Sequence, residues 1–202
     1  WVDLAAKDVA VQLDLLKHSP GGEKLVGIRH QVHDEQDLEW LLRQDVLNGI
    51  FECHKAGLVY DLLVKEPQMP AAIACVDKLP NVRFVIDHIS KPRILEAEMS
   101  PWHDLIGKLA QRPNVYCKLS GMVTEAKWDN WTVKNFQPYF NRVLEVFGAK
   151  RLMYGSDWPV CVLAGGYSKT INLTKTLTAS LSEEEKESIF CKTAIESYKL
   201  SI

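Results

Sequence analysis

Several features are missing from this chain, and each absence argues against a class of function. The sequence contains no Cys-x-x-Cys pair, and its five cysteines are spread along 202 residues at positions 53, 75, 117, 161 and 191. An odd number of widely separated cysteines favours reduced thiols in a cytoplasmic compartment over a disulfide framework or a structural zinc site. No run of apolar residues approaches the length of a membrane span.

Nucleotide-binding signatures and a strong charge of either sign are also absent. No strand-like run is followed by Gly-x-Gly-x-x-Gly, and no phosphate-binding Gly-rich loop ending in Gly-Lys-Ser/Thr occurs. The formal net charge is −2 and the pI is near 6.3, so we expect neither nucleic acid nor a membrane as partner. With 47% hydrophobic and 25% charged residues, the composition is that of a globular protein with a sizeable core.

What the sequence does contain is a repeated alternation of short apolar runs and helical patterns. Six apolar runs predict strands, at 1–4, 25–28, 58–64, 83–86, 115–119 and 152–154. Helical spacing predicts helices at 9–17, 37–42, 46–55, 70–79, 101–110, 136–147, 167–181 and 182–198. This order, in units of roughly 30 residues, predicts parallel β-α-β architecture within one domain, 1–202.

Two α/β folds have this pattern: a doubly wound open sheet and a (β/α)8 barrel. Polar residues end or directly follow most of the predicted strands, and they include Arg29, His30, Asp61, Asp87, His88, Ser120 and Asp157. In a barrel the carboxyl ends of all strands open into one pocket, so a polar group at each end indicates a shared site. The pattern therefore favours the barrel.

The segment 151–161, Arg-Leu-Met-Tyr-Gly-Ser-Asp-Trp-Pro-Val-Cys, shows this arrangement most clearly. Gly155 ends an apolar run, and Asp157 follows before the rigid Trp158-Pro159 pair. An acid just past a buried strand is where α/β enzymes hold a catalytic base or a metal ligand. The alternative for a single Asp is that it caps a turn or a helix.

Six motifs follow one another along the chain: WVDL at 1–4, LVGIRH at 25–30, LVYDLL at 58–63, FVIDHISKP at 84–92, NVYCKLSG at 114–121 and MYGSDWP at 153–159. In this order they resemble the amidohydrolase-2 branch of the amidohydrolase superfamily, near its L-fuconolactonase-like and L-rhamnonolactonase-like sugar lactonases. The resemblance covers essentially the whole chain. It implies a (β/α)8 TIM barrel of the amidohydrolase type.

The resemblance also implies a truncation. Family members begin with a strand ending in Asp-x-His-x-His and a second strand before the first motif found here. On this basis the chain holds strands three to eight, with the first two strands missing, and we expect the 202-residue fragment alone to be inactive and poorly soluble.

By the same resemblance, Asp157 matches the last-strand acid that acts as a general base toward water. His88 matches a histidine that binds a divalent ion or polarises the lactone carbonyl. Both are expected metal ligands if a zinc-like ion is bound, and metal-independent chemistry is the alternative. The expected substrate-binding residues are Arg29, His30, Asp61, Lys91, Lys118 and Trp158. Structural ion pairs compete with this role for the charged residues, and packing competes with it for Trp158.

The activity implied is hydrolysis of a sugar (aldono) lactone by attack of water on the ring carbonyl, with a small-molecule sugar lactone or a related cyclic ester as partner. Two alternatives stay open at this point. One is a decarboxylase or hydratase of the same superfamily, and the other is an inactive truncated fragment.

Overall fold

The structure is a computed structural model that describes residues 2–201. Its centre is a parallel sheet of five strands: β1 (Gly27–His30), β2 (Val59–Leu62), β3 (Phe84–Ile86), β4 (Val115–Leu119) and β5 (Leu152–Tyr154). Each strand pairs with the next strand along the chain, so the order in space is the order in sequence. A doubly wound sheet reverses its strand order at a switch point, and this sheet does not.

Helices make the connections that parallel strands require. They are α1 (Val9–His18), α2 (Gln44–Lys55), α3 (Met69–Lys78), α4 (Trp102–Ala110), α5 (Val133–Phe147), α6 (Gly166–Leu177), α7 (Glu183–Glu187) and α8 (Thr193–Tyr198). One of them, α2 to α5, lies between each pair of consecutive strands, and α6 to α8 follow β5. Within residues 2–201, no helix combines the length and the apolar character needed to cross a membrane.

Both faces of the sheet are covered. The main core lies between the sheet and the helices, and it includes the buried strand residues Ile28, Tyr60, Leu62, Phe84, Ile86, Cys117, Leu119 and Leu152. Because side chains alternate along a strand, the remaining apolar residues face the other way. Val59, Val85, Tyr116 and Met153 form a second cluster there, packed against Ala194 and Tyr198 of α8. Burial on both faces explains why β2 to β5 are nearly continuous apolar runs.

The segment 1–4 does not form the predicted strand. Trp1 lies outside the described residues, and residues 2–4 are in no ladder although Val2 and Leu4 are buried. The Leu4 carbonyl packs closely against Gly49 of α2, where the absence of a side chain leaves room for the backbone. Burial of this apolar run therefore comes from packing on a helix, and the described sheet has five strands where the sequence predicts six.

Two of the predicted helices differ most from the structure, and a third, predicted at 167–181, ends earlier, at Leu177. The range 37–42 contains only a single 3-10 turn, Trp40–Leu42, because one turn of apolar residues is enough to bury Trp40 and Leu41. The range 182–198 begins with the predicted capping box, in which the Ser182 hydroxyl accepts a hydrogen bond from the Glu185 N–H at 3.3 Å. It is then interrupted by a π-helical turn, Ser188–Lys192, between α7 and α8.

The contact between Leu4 and α2 predicts an unusual response to Gly49→Ala. In an exposed helix interior, replacing Gly by Ala stabilises a protein by up to about 1 kcal/mol. At Gly49 the new methyl group overlaps the Leu4 carbonyl, so we expect the variant to lose roughly 1–3 kcal/mol of unfolding free energy in urea. Gly107→Ala on α4 is the matched control, since its new methyl group meets only the end of the Arg142 side chain and no backbone atom. A stabilised Gly49→Ala variant would contradict the packing of Leu4 on α2.

Candidate active site

The carboxyl ends of the five strands gather polar side chains from distant parts of the sequence. Arg29 and Asp61 are paired in register across β1 and β2, and Lys118 lies in β4. His88 is the second residue after β3, and Asp157 lies in the loop after β5. The structure brings these side chains into two groups, a histidine–carboxylate pair and a buried charged cluster.

The histidine–carboxylate pair consists of His88 and Asp157. His88 Nε2 lies 3.5 Å from Asp157 Oδ1, and the two side chains are 12% and 11% exposed. Burial lowers the pKa of His88 to about 4, so its imidazole is neutral at neutral pH. Burial also raises the pKa of Asp157 above its ordinary value, which makes its carboxylate a stronger base. The pair is therefore a neutral imidazole facing a carboxylate across a gap too long for a good hydrogen bond.

The backbone that carries His88 is strained. Residues 88–91 have φ values of 53°, 47°, 60° and 47°, so four successive residues other than glycine lie in the left-handed region. This conformation costs about 1–2 kcal/mol per residue, and it is exceptional for a β-branched residue such as Ile89. The turn is held from outside, since the Trp102 indole N–H donates to the Ile89 carbonyl at 2.7 Å and Ile89 is fully buried. Strain that the surroundings enforce in this way concentrates at functional sites.

The loop after β4 fixes the orientation of the His88 ring. Ser120 Oγ lies 2.8 Å from His88 Nδ1, which leaves Nε2 directed toward Asp157. Gly121 has a φ of 65° and touches His88, and a methyl group on it would overlap the imidazole. The Ser-Gly pair that follows β4 thus provides both a hydrogen-bond partner and the space that the ring needs.

The second group is a buried charged cluster centred on Lys118. Its Nζ lies 2.6 Å from Asp61 Oδ2 and 2.7 Å from Asp87 Oδ1. The other oxygen of Asp87 accepts a hydrogen bond from the Arg29 guanidinium at 2.9 Å. The other oxygen of Asp61 accepts one from the Tyr198 hydroxyl at 2.6 Å. The cluster therefore combines two carboxylates with two cationic side chains, and α8 contributes to it through Tyr198.

The protonation preferences of the cluster follow from burial and proximity. Burial opposes ionisation of Asp87, but Lys118 and Arg29 outweigh it and hold the pKa of Asp87 below its ordinary value. For Asp61, burial outweighs the attraction of Lys118 and raises the pKa. Burial also disfavours the Lys118 ammonium, yet its two carboxylate partners raise its pKa. The charged form of Lys118 is thus held in place by both acids.

The three remaining predicted residues lie around the two groups. His30 stacks on Trp40 with ring centroids 4.2 Å apart, and its Nε2 lies 2.6 Å from Glu35 Oε1. Lys91 pairs with Glu125. Trp158 is 69% exposed, so packing in the core does not explain why an aromatic residue stands at this position.

Two residues that the structure places in this region have no signal in the sequence, and a third, Ser120, is predicted only as a polar residue at a strand end. Tyr198 reaches Asp61 across 137 positions, and nothing in the local sequence of α8 indicates that contact. Glu125 comes from the loop after β4 and neutralises Lys91. Ser120 directly follows the predicted strand at 115–119, and its contact with His88 is what the sequence does not show.

His88 and Asp157 fit two ligand positions of a divalent ion. Two ligands of a tetrahedral zinc ion lie about 3.3 Å apart when each bond is about 2.0–2.1 Å, and the two side-chain atoms here are 3.5 Å apart. The Ser120 hydroxyl on the other ring nitrogen takes the place that a carboxylate, a backbone carbonyl or a water usually has beside a metal-binding histidine. Residues 2–201 contain no group of three or more His, Cys, Asp and Glu side chains that could hold a metal. Within the described residues, His88 and Asp157 thus have the spacing of two metal ligands.

Comparison with known proteins gives a consistent result. An amidohydrolase family model matches residues 1–200. The L-fucono-1,5-lactonase of Burkholderia multivorans is 34% identical over 211 aligned positions, which cover 99% of this chain and 70% of that protein. The L-fucono-1,5-lactonase of Burkholderia ambifaria is 39% identical over 168 positions, which cover 83% of this chain and 56% of that protein.

The fold has a similarly strong match. A crystal structure of an amidohydrolase from Burkholderia multivorans with bound zinc has a TM-score of 0.93 to this structure at 34% identity. The superposition covers 100% of this chain and 72% of that one. This chain thus spans between 56% and 72% of the length of the proteins in these three matches.

Proposed function

Because the chain belongs to the amidohydrolase family, we propose that it hydrolyses a sugar lactone by attack of water on the ring carbonyl. The observation that carries the proposal is the His88–Asp157 pair, a buried neutral imidazole 3.5 Å from a carboxylate whose pKa is raised. The similarity to two L-fucono-1,5-lactonases supports the choice of a cyclic sugar ester as the substrate.

The reaction follows from the chemistry of these groups. The Asp157 carboxylate removes a proton from water as the water oxygen bonds to the lactone carbonyl carbon. The tetrahedral intermediate then collapses, the ring C–O bond breaks, and the leaving oxygen takes the proton back from Asp157. The product is the open hydroxy acid, and the carboxylate is regenerated. The raised pKa of Asp157 makes the first proton transfer easier, because the carboxylate is a stronger base than it would be in water.

Negative charge develops on the carbonyl oxygen during this reaction. The fixed Nε2 of His88 and the ammonium of Lys91 provide preorganised stabilisation close to Asp157. A divalent ion held by His88 and Asp157 would supply Lewis-acid polarisation of the carbonyl when bound. Ser120 would support that role by holding the imidazole through Nδ1.

The other predicted residues are assigned to substrate binding within this proposal. Arg29, Asp61 and Lys118 are already hydrogen-bonded within the charged cluster, so they offer a rigid polar wall. His30 is held in place by Trp40 and Glu35. Trp158 directly follows Asp157 and is exposed, which leaves its indole available to stack on a sugar ring.

We assign residues 1–202 to one domain and the five strands to a (β/α)8 barrel. The sequential strand order and the polar side chains gathered at the carboxyl edge support this assignment, because both are barrel features.

A substrate panel tests the function. We expect the full-length protein to hydrolyse at least one aldonolactone, with L-fucono-1,5-lactone in the panel, at a kcat of about 1–1000 s⁻¹. Acid release is followed with a pH indicator. Carbon dioxide release from aromatic carboxylic acids, together with no turnover of any lactone, would instead identify a decarboxylase.

A further inference from the structure

A groove lies at the same edge of the sheet as the candidate active site. It is formed by the loops that follow β2, β3 and β4, through residues of segments 65–67, 91–96 and 124–129, and by Leu163 after β5. Its volume is about 1110 Å³. Pockets that hold drug-sized ligands have volumes of roughly 300–1000 Å³, and a single-ring sugar lactone is considerably smaller than such ligands. The groove therefore has room for more than the reacting ring.

The charges of the groove are balanced. Four basic and four acidic residues line it: Lys65, Lys91, Arg93, Lys127, Glu66, Glu96, Glu125 and Asp129. Several of them pair with one another, since Lys91 meets Glu125 and Arg93 Nε lies 3.5 Å from Glu66 Oε2. An anionic or cationic ligand finds no excess of opposite charge here. A neutral ligand with many hydroxyl groups finds both carboxylate acceptors and N–H donors.

The groove also offers an aromatic surface. Trp128 is 49% exposed, and its indole N–H is already used in a hydrogen bond to the Thr124 carbonyl at 2.9 Å. The ring is thus anchored at its polar edge, while its apolar body stays accessible. Leu95 and Leu163 are exposed in the same groove. An anchored ring beside apolar side chains and paired charges matches a sugar ring, which has apolar C–H faces and a rim of hydroxyls.

The groove adjoins the histidine–carboxylate pair, His88 and Asp157. Lys91 and Glu125 line the groove as an ion pair, and the Lys91 backbone N–H donates to the His88 carbonyl at 2.8 Å. Leu163 belongs to the loop that carries Asp157 from the end of β5. A substituent on a lactone bound at His88 and Asp157 would therefore enter the groove at the Lys91–Glu125 pair.

We propose that this groove binds a neutral glycosyl group attached to the lactone, so that the preferred substrates are lactones of disaccharide or longer sugar acids. This inference rests on the proposed lactone hydrolysis and names the substrate class for the same site.

The test compares two lactones that differ only in the glycosyl group. One is the aldono-1,5-lactone of the panel with the highest kcat/KM, and the other is the same lactone with a glucosyl group on its 4-hydroxyl. We expect the full-length protein to favour the glucosylated lactone in kcat/KM by about tenfold, which corresponds to about 1.4 kcal/mol. Trp128→Ala should remove most of this preference, because it lowers kcat/KM for the glucosylated lactone much more than for the parent.

Phe51→Ala is the matched control, since Phe51 is a 43% exposed aromatic on α2, outside the groove lining. It should leave both kcat/KM values unchanged. Equal kcat/KM values for the two lactones, rejection of the glucosylated one, or an equal loss for both in Trp128→Ala would overturn the groove assignment while leaving lactone hydrolysis intact. No turnover of any lactone would overturn both proposals.

Discussion

Replacing Asp157 by Asn is expected to lower kcat for lactone hydrolysis by roughly 10²–10⁴-fold, the usual contribution of a general base. The amide has nearly the same shape as the carboxylate but cannot accept the proton from water. Asn is the right replacement because Asp157 has a φ of 56°, and Asn tolerates the left-handed region about as well as Asp. The loss should appear in kcat measured with a pH indicator, with the unfolding midpoint in urea little changed.

Asp104→Asn provides the comparison for this variant. Asp104 is a carboxylate on α4 with a side chain that is 77% exposed, and it lies outside the candidate active site. Its replacement should leave kcat as it is. If Asp157→Asn kept most of the wild-type kcat, another group would have to activate the water, and the role assigned to Asp157 would be wrong.

The parts of the fold that the sequence predicts best are those with a strong local signal. The strands at 115–119 and 152–154 have the predicted bounds, because each is a short buried apolar run between turn residues. The proximity of His88 and Asp157 also follows from the pattern. Parallel strands end at one edge of a sheet, so polar residues just past two strand ends have to lie near each other.

The parts that the sequence does not predict depend on distant packing. Residues 2–4 have the apolar character of a strand, but Leu4 is buried by a helix 45 positions further along, at Gly49. The left-handed turn at 88–91 contains no glycine, so no residue in it signals its conformation, which is held by groups such as Trp102 from outside the turn. The contact of Tyr198 with Asp61 depends on the path of the chain after the π-helical turn.

The charged cluster is where these long-range effects converge. Lys118 is predicted as a pocket residue, with a structural salt bridge as the competing explanation, and the structure has it between two carboxylates. Asp87 is fully buried and directly precedes His88. Neutralising Asp87 from both sides therefore stabilises the start of the strained turn as well as the cluster itself.

Replacing Lys118 by Met is expected to destabilise the protein by roughly 3–5 kcal/mol, the usual cost of breaking a buried ion pair from one side. The Met side chain keeps most of the apolar stem but leaves Asp61 without its cation and Asp87 with Arg29 alone. The free energy of unfolding in urea at neutral pH measures the loss. Lys108→Met, at an exposed position on α4, is the matched control and should change the stability by less than about 0.5 kcal/mol.

A second substitution shows whether uncompensated charge causes the loss. Asp61→Asn in the Lys118→Met background removes one of the two carboxylates that have lost Lys118 as a partner. The amide oxygen can still accept a hydrogen bond from the Tyr198 hydroxyl. We expect this double variant to be more stable than Lys118→Met by roughly 1–2 kcal/mol, within the range of coupling energies for residues in direct contact. If the double variant is more stable than Lys118→Met, the charge of Lys118 balances the two acids next to the His88 turn. If the losses of unfolding free energy of the two substitutions simply add, Lys118 stabilises the protein by packing instead.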